Sequence, residues 1–306
     1  MRERGSVALR SAFEGPTWAA LFGCYSVWGL SLWQAGQTSY LFLIPCIFAV
    51  ALHSSLTHEV LHGHPTRNAL VNEATVFMAV GLFIPYRRFR DLHLKHHNDE
   101  RLTDPYDDPE SFYTPVSRWG ETGFRCLLLR ANATLMGRLV LGPPLSLLAF
   151  WWGDLRVIYK PQILGAWVRH AIGVVPVILI VGAAGVPIWL YVFCVAYPAM
   201  SVIMLRSYIE HRASEDAHQR TAVVDAHWFW CFLFLNNNYH SVHHERPSMA
   251  WYLIPRVWLA ERDQVLEKNG GYLLPGYGEV FRRWGVRQRE PVVHPLLHRT
   301  DLDDSP

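Results

Sequence analysis

Histidine spacing is the strongest chemical signal in the sequence. Residues three or four positions apart lie on one face of a helix, so a helical HxxxH or HxxHH segment aims two or three imidazoles at one point. Nine of the 16 histidines fall in four places. Three have this spacing: His58 and His62 in HEVLH, His93, His96 and His97 in HLKHH, and His240, His243 and His244 in HSVHH; the fourth is His211 in IEHR.

This set of side chains suits a site with more than one metal ion. Neutral imidazole is a good ligand for iron, copper, zinc or nickel. One metal ion does not need so many ligands, whereas eight or nine imidazoles can bind two metal ions and leave a position for oxygen. The sequence therefore predicts a binuclear, histidine-rich metal centre.

Carboxylates and amides accompany the histidines. Such groups can accept a hydrogen bond from an imidazole N–H and fix the orientation of the ring. The acidic run Asp104, Asp107 and Asp108 follows the second cluster and can act in this way, although with Pro105 and Pro109 it is also typical of a turn. The amides Asn236, Asn237 and Asn238 can bind a metal-bound water or cap a helix. The side chains that we predict to support the ligands are Glu59, Glu210, Asp225, Asn238 and Glu245.

The remaining histidines carry no comparable pattern. We expect His53, His64, His170, His218, His227, His294 and His298 to have other roles. The HEVLH segment also matches the HExxH motif of zinc proteases, in which Glu59 would be a general base. That interpretation leaves HLKHH and HSVHH unexplained, because a hydrolase needs no further histidine triplets.

Apolar runs long enough to cross a membrane occur four times. A helix needs about 20 apolar residues to span the hydrocarbon core. The runs are Thr17 to Trp33, Ser39 to Leu56, Ala171 to Val186 and Pro187 to Leu205, paired as two hairpins by the uncharged connections QAGQTS and AAGVP. They contain essentially no ionisable side chain, which argues against an ion transporter with a histidine relay.

Positive charges flank the other ends of these runs. The flanking residues are Arg2, Arg4 and Arg10, then Arg67, Arg87, Arg88 and Arg90, then Lys160 and Arg169, and finally Arg206 and Arg212. By the positive-inside rule, both termini and all four histidine clusters are cytoplasmic. The charged N-terminal segment lacks the pattern of a cleaved signal peptide, so we expect the first run to remain as an anchor.

Shorter apolar stretches and the C-terminal segment complete the predicted organisation. We place Ala74 to Pro85, Leu139 to Trp152 and Trp228 to Leu235 at the membrane surface, because they are too short or too interrupted by proline to cross. Residues 1–270 form one predicted domain, and 271–306, rich in Gly, Pro, Arg and His, a loosely structured cytoplasmic tail.

Composition excludes other classes. The net charge of +2 gives no support for binding nucleic acid. The five cysteines are widely spaced without a CxxC pair, so we interpret them as small buried hydrophobic residues.

The order HEVLH, HLKHH and HSVHH, divided by a membrane hairpin, resembles that of the membrane fatty acid desaturase superfamily. The resemblance covers about residues 39–255. It implies an all-α integral-membrane fold with four transmembrane helices, a cytoplasmic helical cap that carries the histidines, and a di-iron centre. The ligands matched are His58, His62, His93, His96, His97, His240, His243 and His244, with His211 in place of an additional histidine after the last span.

The resemblance also implies a reaction and its requirements. Two iron ions and dioxygen would remove hydrogen from a substrate carbon. No haem or iron–sulfur motif is present, so electrons would come from a separate ferredoxin, rubredoxin or cytochrome. We predict a desaturase of a lipid acyl chain in the cytoplasmic membrane.

Related sequences keep other reactions open. The stretch NYHSVHHERP is similar to motifs of desaturases and carotenoid ketolases, and IEHR is similar to the Glu-His motif of membrane alkane hydroxylases, whose second histidine motif is spaced differently. Small bacterial oxygenases of rhizopine- or rhizobitoxine-type compounds are also similar. Hydroxylation of an alkane-like, carotenoid or small amino-acid-derived substrate is therefore the alternative, and a non-catalytic metal-binding membrane protein is a third possibility.

Overall fold

The computed structural model describes residues 14–98, 100–115 and 122–297, and these are mostly helical. Arg2, Arg4, Arg10 and His298 lie outside the described residues. The helices are α1 (Gly15–Gln37), α2 (Leu43–Leu61), α3 (Ala69–Thr75), α4 (Tyr86–Asn98), α5 (Phe124–Asn132), α6 (Leu135–Arg156), α7 (Pro161–Ala183), α8 (Ile188–Tyr191), α9 (Tyr197–Glu210), α10 (Trp228–Leu233), α11 (His240–Glu245), α12 (Ile254–Lys268) and α13 (Tyr277–Trp284). Two short strands, β1 (Val223–Val224) and β2 (Leu273–Leu274), pair in parallel.

Four helical segments are long and apolar enough to cross a membrane. They are Tyr40–Leu61, which contains α2, then α6, α7, and Ile188–Glu210, in which a π-helical turn joins α8 to α9. Each has 22 or 23 residues, which as a helix measures about 33 to 35 Å against a hydrocarbon core of about 30 Å. The number of candidate spans therefore agrees with the sequence prediction.

The four candidate spans are not the same four that we predicted, since α6 is among them and α1 is not. α1 has 23 residues but also polar side chains, and it is not among the four. α6 takes its place, because Pro143 and Pro144 lie inside one continuous 22-residue helix. The helix that contains Leu139 to Trp152 is therefore longer and less interrupted than we argued, and its place at the membrane surface stays a prediction.

The two predicted short connections meet. α1 packs along α2, where Cys24 Sγ lies 3.2 Å from Ala49 O. In the last turn of α1, Gly36 lies so close to the loop after α7 that a Cβ atom on Gly36 would be 1.6 Å from Ala184 O. Only glycine tolerates this approach. The connections that follow α1 and α7 therefore lie at the same end of the molecule.

The stretch Ala74 to Pro85, which we predicted to lie at the membrane surface, makes polar contacts with α7 and α8. Tyr191 Oη donates a hydrogen bond to Val80 O (2.7 Å) and accepts one from Trp28 Nε1 (2.9 Å). Ala79 N donates to Gly173 O, near the middle of α7. Backbone groups of an apolar segment need such partners when water is excluded. These partners explain how the segment packs against the helices with Val76 and Val80 buried, while Phe77 and Ile84 stay exposed.

A buried ion pair fixes the start of α4, which carries three of the histidines. Arg88 binds Asp154 on α6 through two nitrogens, with Nη2 2.8 Å from Oδ1 and Nε 2.9 Å from Oδ2. Trp167 Nε1 on α7 donates to the same carboxylate at 2.9 Å. The side chains of Arg88 and Asp154 are largely buried. One carboxylate therefore joins α4 to two of the long helices.

The segment that we predicted as a loose tail packs on the rest of the protein as far as residue 297. Strand β2 pairs with β1 across the predicted boundary at 270, with Leu273 opposite Val223. Further along, Thr114 N donates to Val292 O at 2.8 Å. The glycines and prolines of this segment did not prevent it from folding, because residues before 270 supply hydrogen-bond partners for its backbone.

The ion pair allows a stability test. Replacing Asp154 by asparagine leaves the buried Arg88 without its anion, so we expect Asp154→Asn to lower stability by about 3 kcal/mol. The measurement is the unfolding temperature of the purified protein in detergent. Asp263→Asn, at an exposed position of α12, is the matched control and should change little. Equal losses in both variants would show that the ion pair contributes nothing specific.

Candidate metal centre

All nine histidines of the four sequence clusters come together at one place. α2 ends next to the site, with His58 in its last turn and His62 directly after it. α4 supplies its last two turns, and the chain continues from α9 directly into His211. The short helix α11 carries the final three. Four helices thus end or begin at a common point.

The ligand nitrogens form two groups. Within each group, the atoms able to bind a metal ion lie within 4.8 Å of one another. The first group is His58, His62, His93, His97 and His243, and the second is His96, His211, His240 and His244. The rings of His97 and His244 stack across the boundary with centroids 4.2 Å apart. The two groups are therefore neighbours in one site.

Distances between Nε2 atoms fit ligands around a common ion. In the first group, His97 Nε2 is 3.0 Å from that of His93 and 3.0 Å from that of His243. In the second, His211 Nε2 is 3.1 Å from that of His96 and 3.0 Å from that of His240. Two imidazole nitrogens about 2.1 Å from one metal ion, at an angle of about 90°, are about 3.0 Å apart.

Carboxylates and an amide hold the outer nitrogens of three rings. His93 Nδ1 lies 2.7 Å from Glu110 Oε1, and His96 Nδ1 lies 2.8 Å from Asp108 Oδ1. His240 Nδ1 lies 2.9 Å from Asn237 Oδ1. When Nδ1 donates its hydrogen, Nε2 of a neutral imidazole keeps a lone pair. Several such lone pairs facing one another repel unless a cation lies between them, so the donor set fits metal ions.

Burial favours the neutral form of most of these rings. It is the largest cause that holds the pKa of His62, His211, His240, His243 and His244 well below the usual value. Burial and the charge of His93 lower the pKa of His97 to about 2. Metal ions bind the neutral imidazole, so these rings need not lose a proton first.

His96 and Glu110 differ from these rings, because the pKa shift of each favours its charged form. Burial lowers the pKa of His96, but Glu110 and Asp108 outweigh it and raise that pKa to about 9. Burial raises the pKa of Glu110, yet the charges of His93 and His96 bring it below the usual range. The second group therefore attracts positive charge, which a metal ion can supply in place of the proton on His96.

The predicted supporting side chains have mixed positions. Glu210 Oε1 lies 3.3 Å from His240 Nδ1 and 2.8 Å from Arg206 Nε, so it does lie at the site. Glu59 accepts a hydrogen bond from Trp251 N at 2.9 Å and lies 3.8 Å from His64 Nε2.

Three other predicted residues point elsewhere. Asp225 is exposed after β1, Asn238 Nδ2 donates to Val224 O, and Glu245 pairs with Lys268 at 3.0 Å. Proximity along the chain to a ligand was a poor guide here, because neighbouring side chains on a short helix or strand face different directions.

Two groups that hold the rings were missed or left open by sequence reasoning. Glu110 was not predicted, and Asp108 was one of several carboxylates in a segment that also looked like a turn. The segment is both a turn and a source of acceptors. Asp104 Oδ1 accepts from Tyr106 N as in a turn, and the turn brings Asp108 and Glu110 next to the histidines of α4. The signal was the acidic run itself, which extends from 7 to 13 residues after His97. Among the three asparagines, Asn237 is the one that binds a histidine of the site.

Other histidines described by the structure lie outside the two groups. His53 binds Tyr25 Oη at 3.0 Å, and His170 binds Leu82 O at 2.8 Å. His64 lies with Glu14 and Glu59 in a third, buried cluster. Its Nδ1 is 2.7 Å from Glu14, and its Nε2 is 3.2 Å from Ser248 O, which can only accept a hydrogen bond. Both nitrogens of His64 therefore face acceptor atoms of the protein, and the cluster is separate from the two groups of nine histidines.

Comparison with known proteins agrees with this geometry. A search of curated proteins gives no match. The family model described as Fatty acid desaturase matches residues 31–275, which is more than three quarters of the chain. The matched region contains all nine histidines of the two groups. The chain therefore belongs to the fatty acid desaturase family.

Proposed function

We propose that this protein is a membrane oxidoreductase that uses two iron ions, dioxygen and external electrons to desaturate a lipid acyl chain. The observation that carries the proposal is the convergence of nine imidazoles into two adjacent groups with Nε2 atoms 3.0 to 3.1 Å apart. Membership of the family supports oxidation of the desaturase or hydroxylase type. Desaturation and the acyl substrate are our own assignment within that type.

The donor set supports iron as the metal. Imidazole binds iron well, and nine histidines can hold two ions with positions to spare. His58, His62, His93, His97 and His243 would hold one ion, and His96, His211, His240 and His244 the other. When bound, the iron pair supplies the activation of dioxygen that the organic substrate and the side chains cannot provide.

The protein's own part is to orient the ligands and hold protons at their outer nitrogens. Glu110 and Asp108 accept from the Nδ1 atoms of His93 and His96, which keeps the Nε2 lone pairs directed inward. Asn237 does the same for His240. The imidazoles are largely buried, which limits access of bulk water to the site.

The proposal includes a location and a partner. The histidines lie at the end of α2 that is opposite its connection to α1. The arginines after the second and fourth apolar runs favour a cytoplasmic position for that end. A soluble ferredoxin, rubredoxin or cytochrome would then reach the site from the cytoplasm.

Metal binding tests the ligand assignment. We expect His96→Ala to lower the iron content from about two ions per chain to about one or fewer, because His96 Nε2 faces His211 in the smaller group. Iron is measured after anaerobic reconstitution with ferrous ions. His218→Ala, at an exposed position, is the control and should keep both ions. Full iron content in His96→Ala would remove the residue from the ligand set.

The carboxylate that holds His93 gives a finer test. Glu110→Gln keeps the shape of the side chain but loses its charge, so we expect the affinity for ferrous iron to fall about 10- to 100-fold. The measurement is a titration of the reconstituted protein against a competing chelator. Glu267→Gln on the exposed face of α12 should leave the affinity unchanged. An unchanged affinity in Glu110→Gln would mean that this contact does not tune the site.

Product analysis tests the reaction itself. Cells that produce the protein with a compatible reductase should accumulate an acyl chain with one added double bond and no new oxygen. Lipids and small metabolites are compared by mass spectrometry with those of cells producing His96→Ala. Incorporation of one atom from labelled dioxygen would instead identify a hydroxylase. Identical profiles in both cultures would contradict the proposal.

A further inference from the structure

The ring of His211 is held differently from those of two ligands beside it. His96 and His240 have acceptors at Nδ1, whereas Nδ1 of His211 is buried without a hydrogen-bond partner among residues 14–98, 100–115 and 122–297. His211 follows α9 and has an extended backbone (φ −126°, ψ 149°), so its carbonyl group lies outside the hydrogen bonding of the helix. The position of this ring therefore depends on what holds the backbone at the end of α9.

Arg289, far along the chain, holds that backbone. Its Nη2 donates to His211 O at 2.6 Å, and its Nη1 donates to Tyr272 Oη. Tyr272 Oη in turn donates to Ile209 O at 2.9 Å. The last carbonyl groups of a helix lack partners within the helix, and a positive charge near them is favourable. One guanidinium therefore fixes two carbonyl groups, one on each side of Glu210.

Two aromatic rings keep the guanidinium of Arg289 in place. Its Cζ atom is 5.0 Å from the ring centre of Phe112 and 5.5 Å from that of Tyr208. A guanidinium is planar and packs favourably on such rings. Phe112 follows Glu110, which holds a ring of the first group, by two residues. Arg289 thus lies between the end of α9 and the turn that supports the other histidines.

The next residue, Glu290, fixes the backbone on the far side of His211. Tyr113 Oη donates to Glu290 Oε2 at 3.0 Å and accepts a hydrogen bond from Ala213 N at 2.9 Å. Ala213 is two residues after His211. Two consecutive side chains of one segment therefore hold the chain at and after this ligand, the second of them through a tyrosine.

The position of His211 allows little error. Its Nε2 lies 3.1 Å from that of His96 and 3.0 Å from that of His240. Metal sites need ligand distances within about 0.2 Å of their usual values. Displacements of about 0.5 Å along one axis are ordinary in folded proteins. A ring without an acceptor at Nδ1 stays within the tolerance only if its backbone is held firmly.

We propose that Arg289 is a positioning residue, which sets the iron affinity of the second histidine group by fixing the backbone of His211. The inference rests on the proposed function, because it needs an iron ion in that group. In the described structure, Arg289 contacts no ligand of the first group and approaches it only by packing on Phe112. Its removal should therefore affect the second ion more than the first.

The experiment measures the two affinities separately. Full-length protein in detergent is titrated anaerobically with ferrous ions against a competing chelator, and Mössbauer spectra are recorded of the iron-loaded protein. We expect Arg289→Gln to weaken binding of one ion at least about tenfold, as is usual for the loss of a group that supports a ligand. The other ion should bind nearly as before, and only one of two iron signals should change. Arg287→Gln, exposed two residues earlier, is the matched control.

A conservative variant separates positioning from a general loss of stability. Arg289→Lys keeps the positive charge but lacks the planar fork that reaches two oxygens at once, so we expect an intermediate loss for the same ion. This variant also answers the question if Arg289→Gln does not fold. Unchanged affinities in both variants overturn the inference. Equal weakening of both ions also overturns it, because a merely structural role predicts that result.

The same titration distinguishes this inference from the proposed function. Unaltered protein that binds no iron rejects the iron centre and, with it, the role of Arg289. Two tightly bound ions whose affinities do not respond to Arg289 reject only the positioning role.

Discussion

The structure depends on one electrostatic requirement: many imidazole lone pairs must point at a common space inside the protein. Three of the neutral rings are oriented by acceptors at their outer nitrogens, which Glu110, Asp108 and Asn237 provide. The same acceptors set the charge of the site, because two are carboxylates. Without compensation the inward lone pairs would repel, so the arrangement is stable chiefly with cations bound. Ligand orientation and metal affinity therefore have one physical origin.

Helix ends meet this requirement because they can be positioned independently. α2, α4 and α9 are long enough to be anchored far from the site by apolar packing and buried polar contacts. The carboxylate of Asp154, for example, fixes the first turn of α4 and leaves its last turns to present histidines. The short helix α11 is mostly buried, and its Val242 lies in one apolar cluster with Val257 and Trp258 of α12. It is held by its neighbours, through contacts such as Ser241 N to Ala222 O.

Periodic patterns in the sequence were informative about the site and the long helices. HEVLH, HLKHH and HSVHH predicted which rings would meet, since the three- and four-residue spacing acts within one helix. The supporting residues were predicted less well, because Glu110 and Asn237 reach their rings through turns whose path local sequence does not specify. In α6, two prolines suggested an interruption that the helix does not have. The contacts of the stretch Ala74 to Pro85 were not predicted either, because its partners Tyr191 and Gly173 are distant in sequence.

The contact between Arg289 and His211 O has a consequence for biosynthesis. During translation, every histidine of the two groups emerges before residue 289 does. The carbonyl oxygen of His211 thus lacks this hydrogen bond until nearly 80 further residues have been synthesised. Iron that arrives early would meet a partly assembled set of ligands, so timely maturation favours loading after synthesis has passed this point.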